Sequence, residues 1–520
     1  MTRVIEADHL WELVAGRADA TPDKVFAVDE HGDSLTFDGL RHEAERMAAG
    51  LTARGVSEGS VVSWQLPTSL TAFVLMAALS RLGAIQNPLV PILRRREVEF
   101  VCRQARPSLL IVPRAFRGFD HEAMARGIAA EQPGLDVLVT DDGLPAADPA
   151  LLPPPPEPRP GGAAGPVRWY FYTSGTTADP KGVKHRDATI MAAARTMDDA
   201  LCLESHDVVG FLIPVAHIAG PVHLMSSLRT GAELVISKTF DVDREIARQR
   251  ARGVTHVGSG VPFIRAYLAH QRAHPEQAPL FPDAKSFLSG GAAKSAALHE
   301  EVRSELGGVG ILAGYGLTEC PMLAWGSLAD DDGHLAHSEG RGGQGVEVVI
   351  VTADGRRADP DEEGEVRVRG PQLMAGYIDP ALETDAFGPE GLLRTGDLGR
   401  LDKQGYLTIT GRLKDVIIRN MENISAQEVE NALAADRRVA DVAVLGLPDA
   451  RTGERVCAVV VPADPSLPPT LGDLCERLLA NGMSKRKLPE QLEIVGAVPR
   501  NALGKVIRAE LRKSLLSEAG

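Results

Sequence analysis

Cysteine is scarce in this 520-residue chain: Cys102, Cys202, Cys320, Cys457 and Cys475 are odd in number and far apart. That spacing supports neither a disulfide framework nor a Cys-x-x-Cys metal site, and it fits a reducing compartment. Positive charge is also in deficit. With 56 Lys and Arg against 70 Asp and Glu, the formal net charge is −14, which argues against nucleic acid or an anionic membrane as partner. An anionic ligand would need locally gathered cations. The most apolar run, residues 73–85, contains Arg81 and is too short to span a bilayer. The first eight residues lack the apolar core of a secretory signal. A soluble, cytoplasmic protein is therefore expected. Neither the Gly-x-x-x-x-Gly-Lys-Ser/Thr phosphate loop nor the Gly-x-Ser-x-Gly elbow of serine hydrolases occurs, and no internal repeat is visible.

What is present is globular. Apolar residues at 44% and charged residues at 24% carry no disordered bias, and the length implies two or more domains. Up to about residue 115 the chain reads as α/β. A helical pattern over 41–54 ends at Gly55, Val61 to Leu66 is a buried strand stopped by Pro67, and Ser69 can cap a helix running to Gly83. Leu109 to Val112 is a further strand. Residues 144–166, rich in Ala, Gly and Pro, read as a surface connector. Beyond it strands and helices alternate again, which implies a mostly parallel sheet covered on both faces. From about 343 the texture changes to shorter β segments with Gly-rich turns, and the last hundred residues form an α+β unit of domain size.

The densest chemistry is Tyr172-Thr-Ser-Gly-Thr-Thr-Ala-Asp-Pro-Lys-Gly182. Thr173, Ser174, Thr176 and Thr177 place four hydroxyls around Gly175, which lets the backbone approach a ligand. Successive backbone N–H groups and hydroxyls in such a loop form an anion site, and Lys181 adds a point charge suited to phosphate. Residues 167–172 are strand formers, so the loop leaves a strand. A solvated Ser/Thr turn is the ordinary alternative.

Four further clusters are individually weak, each with a turn or a surface lysine as the bland reading. Gly314-Tyr315-Gly316-Leu317-Thr318-Glu319 follows a strand and offers an aromatic face, a hydroxyl and a carboxylate. Arg394-Thr395-Gly396-Asp397 places a carboxylate after a glycine turn, suited to paired ribose hydroxyls. Arg412-Leu413-Lys414 stands where the large region gives way to the C-terminal unit, and Gly504-Lys505 puts a lysine on a loop near the chain's end.

In this order the five motifs resemble the successive core motifs of the adenylate-forming superfamily: acyl-CoA synthetases, peptide-synthetase adenylation domains and firefly-type luciferases. The resemblance covers nearly the whole chain and includes residues 364–370 and Met374 to Tyr377. It implies a large N-terminal domain (1–411) of parallel and mixed sheets wrapped by helices plus a distorted β-barrel, a hinge (412–414) and a small mobile α+β domain (415–520). It implies ATP and Mg²⁺ as cofactors, coenzyme A as co-substrate, and a carboxylic acid converted to an acyl adenylate and then a thioester. Thr173 to Thr177 and Lys181 would hold the β- and γ-phosphates. Glu319, with Thr173, would help bind Mg²⁺. Tyr315, between Gly314 and Gly316, would flank adenine with Gly291, Ala292 and Ala293. Asp397 and Arg412 would hold ribose, Thr318 would touch the α-phosphate, Lys505 would bridge carboxylate and α-phosphate, and Lys414 would be the pivot. His217 falls on the segment that begins the acyl pocket, with residues 259–263, 289–293 and 322–325 completing its wall; a core histidine is the alternative.

The chain departs from the family pattern at Ala178 and Met421, where glycine is usual, and at Ala426, where proline is usual. Met421 bears on the pantetheine channel. No acid occurs between Phe211 and Leu228, which disfavours an α-amino acid substrate, and small residues at 290–293 favour a bulky uncharged acid. An aryl-acid adenylating enzyme loading a carrier protein is the competing enzyme reading, although Lys485-Arg486-Lys487 could meet CoA phosphates. An inactive nucleotide-binding regulator is opposed by intact Lys181, Glu319, Asp397 and Lys505. The residues leave the acid, the thiol acceptor and a homodimeric state open.

Overall fold

The computed structural model describes residues 4–156, 165–173, 180–258, 260–291, 294–419, 422–449, 451–501 and 505–518. Two large sheets form the first part of the chain. A seven-stranded sheet runs in the order Gly376–Tyr377, Gly182–His185, Trp169–Tyr172, Ile85–Pro88, Val61–Trp64, Leu109–Val112, Asp136–Val139. Pairings from Trp169–Tyr172 through to Asp136–Val139 are parallel, and the two pairings on the other side are antiparallel. A nine-stranded sheet has a parallel centre, with Ser286–Gly290 beside Ile311–Leu317 and the antiparallel Cys320–Trp325 beyond it. Parallel centres need apolar cover on both faces. Helices Phe37–Thr52, Leu70–Arg81, Asp187–Leu201 and Ala219–Thr230 supply much of it, in one core shared by the two sheets.

Local signals explain these elements. Ser69 accepts a hydrogen bond from the Ala72 amide at 3.3 Å and starts Leu70–Arg81, nearly all of which is buried. The Pro-rich connector is laid down on Phe37–Thr52: the Ala147 amide donates to the Arg46 carbonyl, and a Cβ on Gly50 would lie 2.4 Å from the Pro145 carbonyl.

Beyond residue 343 the expected distorted barrel takes the form of an open four-stranded antiparallel sheet among the described residues. Its order is Glu347–Val351, Gly364–Arg369, Leu393–Leu401, Leu407–Arg412, and its outer strands do not pair. Four strands are too few to close around a filled interior. The short 3-10 turn Leu413–Asp415 then leads into a five-stranded sheet formed by Val416–Arg419, Glu422–Ser425, Val439–Asp449, Gly453–Pro462 and Gln491–Ile494. Helices Ala426–Ala434 and Leu471–Ala480 cover one core of this sheet, and Arg508–Glu518 covers a second.

Candidate active site

A cleft of 390 Å³ separates the two parts of the chain. Gly291, Gly314, Tyr315, Asp397 and Arg412 face it from the large part; Lys505 and Arg508 face it from the C-terminal part. Residues 313–317, expected as a turn after a strand, are themselves strand: Ile311–Leu317 pairs with Cys320–Trp325 through a two-residue turn, Thr318–Glu319. The glycines permit that closeness. A Cβ on Gly314 would lie 2.9 Å from the Trp325 ring, and one on Gly316 would lie 2.6 Å from the Met322 amide nitrogen.

Tyr315 is tied to Asp397, its hydroxyl donating to Oδ2 at 2.7 Å. Burial, then the Asp397 charge, pushes the phenol well above its ordinary value. Asp397 is itself buried and receives the Arg412 guanidinium at 2.9 Å, its cross-strand neighbour. The expected Gly-Asp turn is instead a bulge within Leu393–Leu401, where Thr395 to Asp397 oppose Val366 alone and Gly396 takes φ +70°. Thr395 fixes the bulge by donating to the Val366 carbonyl at 2.7 Å and accepting from the Asp397 amide at 3.1 Å.

Lys505 arrives from the opposite side. Its amide donates to Asn501 Oδ1 at 2.9 Å and its carbonyl accepts from the Asn501 amide at 2.8 Å, closing a short loop. Burial, and then the Arg412 charge, pushes its pKa down to about 8, with Lys414 adding to the effect and Asp397 opposing it. Two parts of the chain thus bring Arg412, Lys414 and Lys505 together, with Asp397 and Asp415 offsetting them in part, an arrangement that favours an incoming anion. Behind Lys505, Arg508 bridges Glu430 at 2.5 Å and Asp415 at 3.1 Å, which ties the C-terminal domain to the 413–415 turn.

A second cavity of 240 Å³ lies past the Thr318–Glu319 turn and is lined by Lys181, Glu319, Tyr377, Arg394 and Thr395. Lys181 immediately precedes Gly182–His185, which pairs antiparallel with Trp169–Tyr172. The Thr173 amide donates to the Lys181 carbonyl at 3.1 Å, and Thr173 Oγ1 accepts from the Lys181 amide at 3.4 Å. Lys181 Nζ stands 5.5 Å from the Tyr377 ring centroid, and the Tyr377 hydroxyl donates to Glu319 at 3.0 Å. Thr318 is held through its carbonyl, which accepts from His185 Nε2 at 2.7 Å. Among the described residues no group of three His, Cys, Asp or Glu could hold a metal. With one buried carboxylate, the residues fit a Mg²⁺ whose other ligands are phosphate and water oxygens.

Some expectations land elsewhere. Ser174, Gly175, Thr176 and Thr177, with Ala178, Met421, Ser259, Ala292 and Ala293, lie outside the described residues. His217 lines neither cavity: its Nδ1 accepts from the Ala219 amide at 3.3 Å at the start of Ala219–Thr230, and burial pushes its pKa down to about 4. It is neutral at physiological pH. Met322 to Trp325 stand outside both cavities too. Lys487 in the basic cluster is engaged by Glu428 at 2.6 Å. Ala426 is simply the first residue of a helix capped by Ser425. Sequence reasoning missed any role for Tyr377, although its Gly-Tyr pair was visible, and it missed the Arg508–Glu430 support.

Two family models match the chain: AMP-binding enzyme over residues 14–378, and AMP-binding enzyme C-terminal domain over residues 428–505. The chain belongs to the AMP-binding enzyme family. It is an AMP-forming acid–thiol ligase of the adenylate-forming kind. Similar proteins include the medium-chain fatty-acid–CoA ligase of Escherichia coli, 30% identical over 98% of this chain and 90% of that protein. The salicyl-AMP ligase / salicyl-S-ArCP synthetase of Mycobacterium tuberculosis is 32% identical over 95% of this chain and 88% of its own length. Among solved structures, ATP-bound MatB from Rhodopseudomonas palustris superposes with a TM-score of 0.86 at 26% identity, covering 97% of this chain and 98% of that one. No helix among the described residues is long and apolar enough to cross a membrane.

Proposed function

We propose that this enzyme activates a bulky, uncharged, non-amino carboxylic acid with Mg-ATP and passes the acyl group from the adenylate to coenzyme A. One observation carries the reading: Lys505 of the C-terminal domain enters the cleft in which Tyr315, Asp397 and Arg412 of the large domain are locked together. Asp397, buried and oriented by two donors, keeps lone pairs for vicinal ribose hydroxyls. The Tyr315 ring and the bare backbone of Gly291 leave a slot for a flat base. Lys181 and Glu319 supply a cation and a carboxylate for the distal phosphates and their Mg²⁺, and the hydroxyls of Thr173 to Thr177 would add donors to those phosphates. Thr318, in the turn between Ile311–Leu317 and Cys320–Trp325, would touch the α-phosphate.

In that arrangement the acid's carboxylate oxygen attacks the α-phosphorus, the bond to the bridging oxygen of pyrophosphate breaks, and pyrophosphate leaves toward Lys181. Lys505 places positive charge between the two anions, an interaction strongest as charge develops. The thiol sulfur then attacks the acyl carbon, the thiol proton is lost to solvent, and AMP departs. The second step requires exchange of groups at the cleft, for which the 413–415 turn containing Lys414 is the pivot.

A carrier-protein thiol in place of CoA is the second reading, favoured by the similarity to the salicyl-S-ArCP synthetase. Pyrophosphate release measured over a panel of alicyclic, aromatic, branched and short acids, with and without CoA, tests both readings. AMP release accelerated by CoA on a bulky acid supports the first. Adenylate formation that CoA never discharges transfers support to the second, and no ATP turnover with any acid overturns both.

A further inference from the structure

Five carboxylates line the central cleft, and four of them are satisfied: Asp397 by Arg412 and Tyr315, Asp415 and Glu430 by Arg508, and Asp441 by Arg500. Glu339 is the exception. Among the described residues its carboxylate accepts no hydrogen bond and lies in no ion pair, and the only opposite charge acting on it is the Lys294 ammonium. Lys294 is buried, donates to the Ala336 carbonyl at 3.0 Å, and stands behind Glu339 rather than in contact with it.

Glu339 is also held in place. Its amide donates to the Leu407 carbonyl at 2.7 Å, and the Leu407 amide returns a bond to the Gly340 carbonyl at 2.8 Å. Gly340 takes φ +82° with its Cα so close to Trp325 that a Cβ would lie 1.9 Å from that backbone. A side chain on so constrained a backbone has a defined direction.

Lys181 and Glu319 line the second cavity, past the Thr318–Glu319 turn, whereas Glu339 and Gly314 line the central cleft. Gly314 pairs with Trp325 and lies against its ring, and Gly340, next to Glu339, lies against the Trp325 backbone, which sets Glu339 beside Gly314. Strand spacing puts Gly314 roughly 10 Å before Leu317, so a nucleotide whose phosphates reach Lys181 has its base at the Gly314 end. A carboxylate there, without a cation in contact, is repelled by phosphate and suited to a hydrogen-bond donor. We propose that Glu339, with Lys294 behind it, reads the nucleotide base by accepting a hydrogen bond from the exocyclic amino group of adenine. A carboxyl oxygen can accept in either protonation state. A base without that amino group would leave the buried oxygen unpaired.

The inference rests on the functional reading above, and the experiment separates the two. Equilibrium binding of Mg-ATP and of purine riboside 5′-triphosphate, which differs only in lacking the amino group, is measured by calorimetry for wild type, E339A and E339Q. Wild type is expected to bind ATP about 10- to 100-fold more tightly than the analogue. E339A is expected to bring the two within about threefold, and E339Q, which retains an oxygen acceptor, to keep part of the preference. Because the readout is a ratio within one protein, a general loss of stability cancels. Equal wild-type affinities, or an unchanged ratio in E339A, overturn this assignment and leave the functional reading standing. Failure of wild type to bind either nucleotide overturns both.

Discussion

Lys505 should carry a pH signature that can be worked out from its surroundings. Burial and the charges of Arg412 and Lys414 bring its pKa from 10.5 down to about 8. The ammonium is the form that can bridge carboxylate and phosphate, so adenylation should fall as pH rises through 8. In kcat/KM, which reports the free enzyme, the alkaline limb should sit near pH 8 and drop tenfold per pH unit beyond it. In kcat, measured with ATP bound, the limb should move upward, because phosphate oxygens offset the neighbouring cations. Lys505→Arg should abolish the limb, since guanidinium stays charged, while lowering the rate through altered geometry. Lys505→Ala should lose at least ~100-fold in pyrophosphate release, the scale of removing one preorganised charge donor.

The same shift has a stability consequence of opposite sense. Between about pH 8 and 10.5 the unfolded chain binds more protons than the folded one. Stability should therefore rise with pH across that window, and the cost is fully present below pH 8. The full difference corresponds to roughly 3 kcal/mol, reduced by the partial exposure of the side chain, so Lys505→Met should stabilise the C-terminal domain by about 1–3 kcal/mol at pH 7. Pyrophosphate-release kinetics from pH 6 to 10 and denaturant titration at pH 7 check the two halves. Near wild-type adenylation in Lys505→Ala, or a limb at pH 8 that survives in Lys505→Arg, would refute the reasoning.

Other expected outcomes follow from the proposed pivot and from the second cavity. Lys414→Pro fixes φ in the Leu413–Asp415 turn and should slow thioester formation more than adenylation, as read by single-turnover assays of each step; equal slowing counts against a pivot there. Tyr377→Phe removes the hydroxyl that donates to buried Glu319 and leaves a carboxylate oxygen without its donor. Hydrogen bonds to charged groups are worth about 1.5–3 kcal/mol, so the Mg²⁺ concentration for half-maximal pyrophosphate release should shift at least several-fold. An unchanged Mg²⁺ dependence would remove Tyr377 from the metal-binding arrangement.

Much of the site was legible because its chemistry is local. Thr173 to Lys181 and Gly314 to Glu319 concentrate hydroxyls, glycines and charge within a few residues, and such density has few purely structural explanations. The strands and caps were legible for a similar reason: Ser69 before an apolar run, and Val61 to Trp64 before proline, are near-neighbour signals. The acyl pocket was less so. His217 had the residue type and position of a wall residue, yet just before Ala219–Thr230 it lines neither cavity. Distance in sequence hid Tyr377, which is 58 residues from the Glu319 it supports. It also hid Arg508, 93 residues from the Asp415 it holds.

The sequence by itself determined the motif order, the two-part organisation and the gathering of four hydroxyls and Lys181 around Gly175, because each depends on residues adjacent in the chain. Only the tertiary structure decided that Gly396–Asp397 is a bulge in a strand, since that depends on pairing with Val366 and Arg412. Only it brought Lys505 into the field of Arg412, and only it left the Glu339 carboxylate without a hydrogen bond or ion pair among the described residues, because desolvation and Coulomb energy follow distance in space and not separation along the chain.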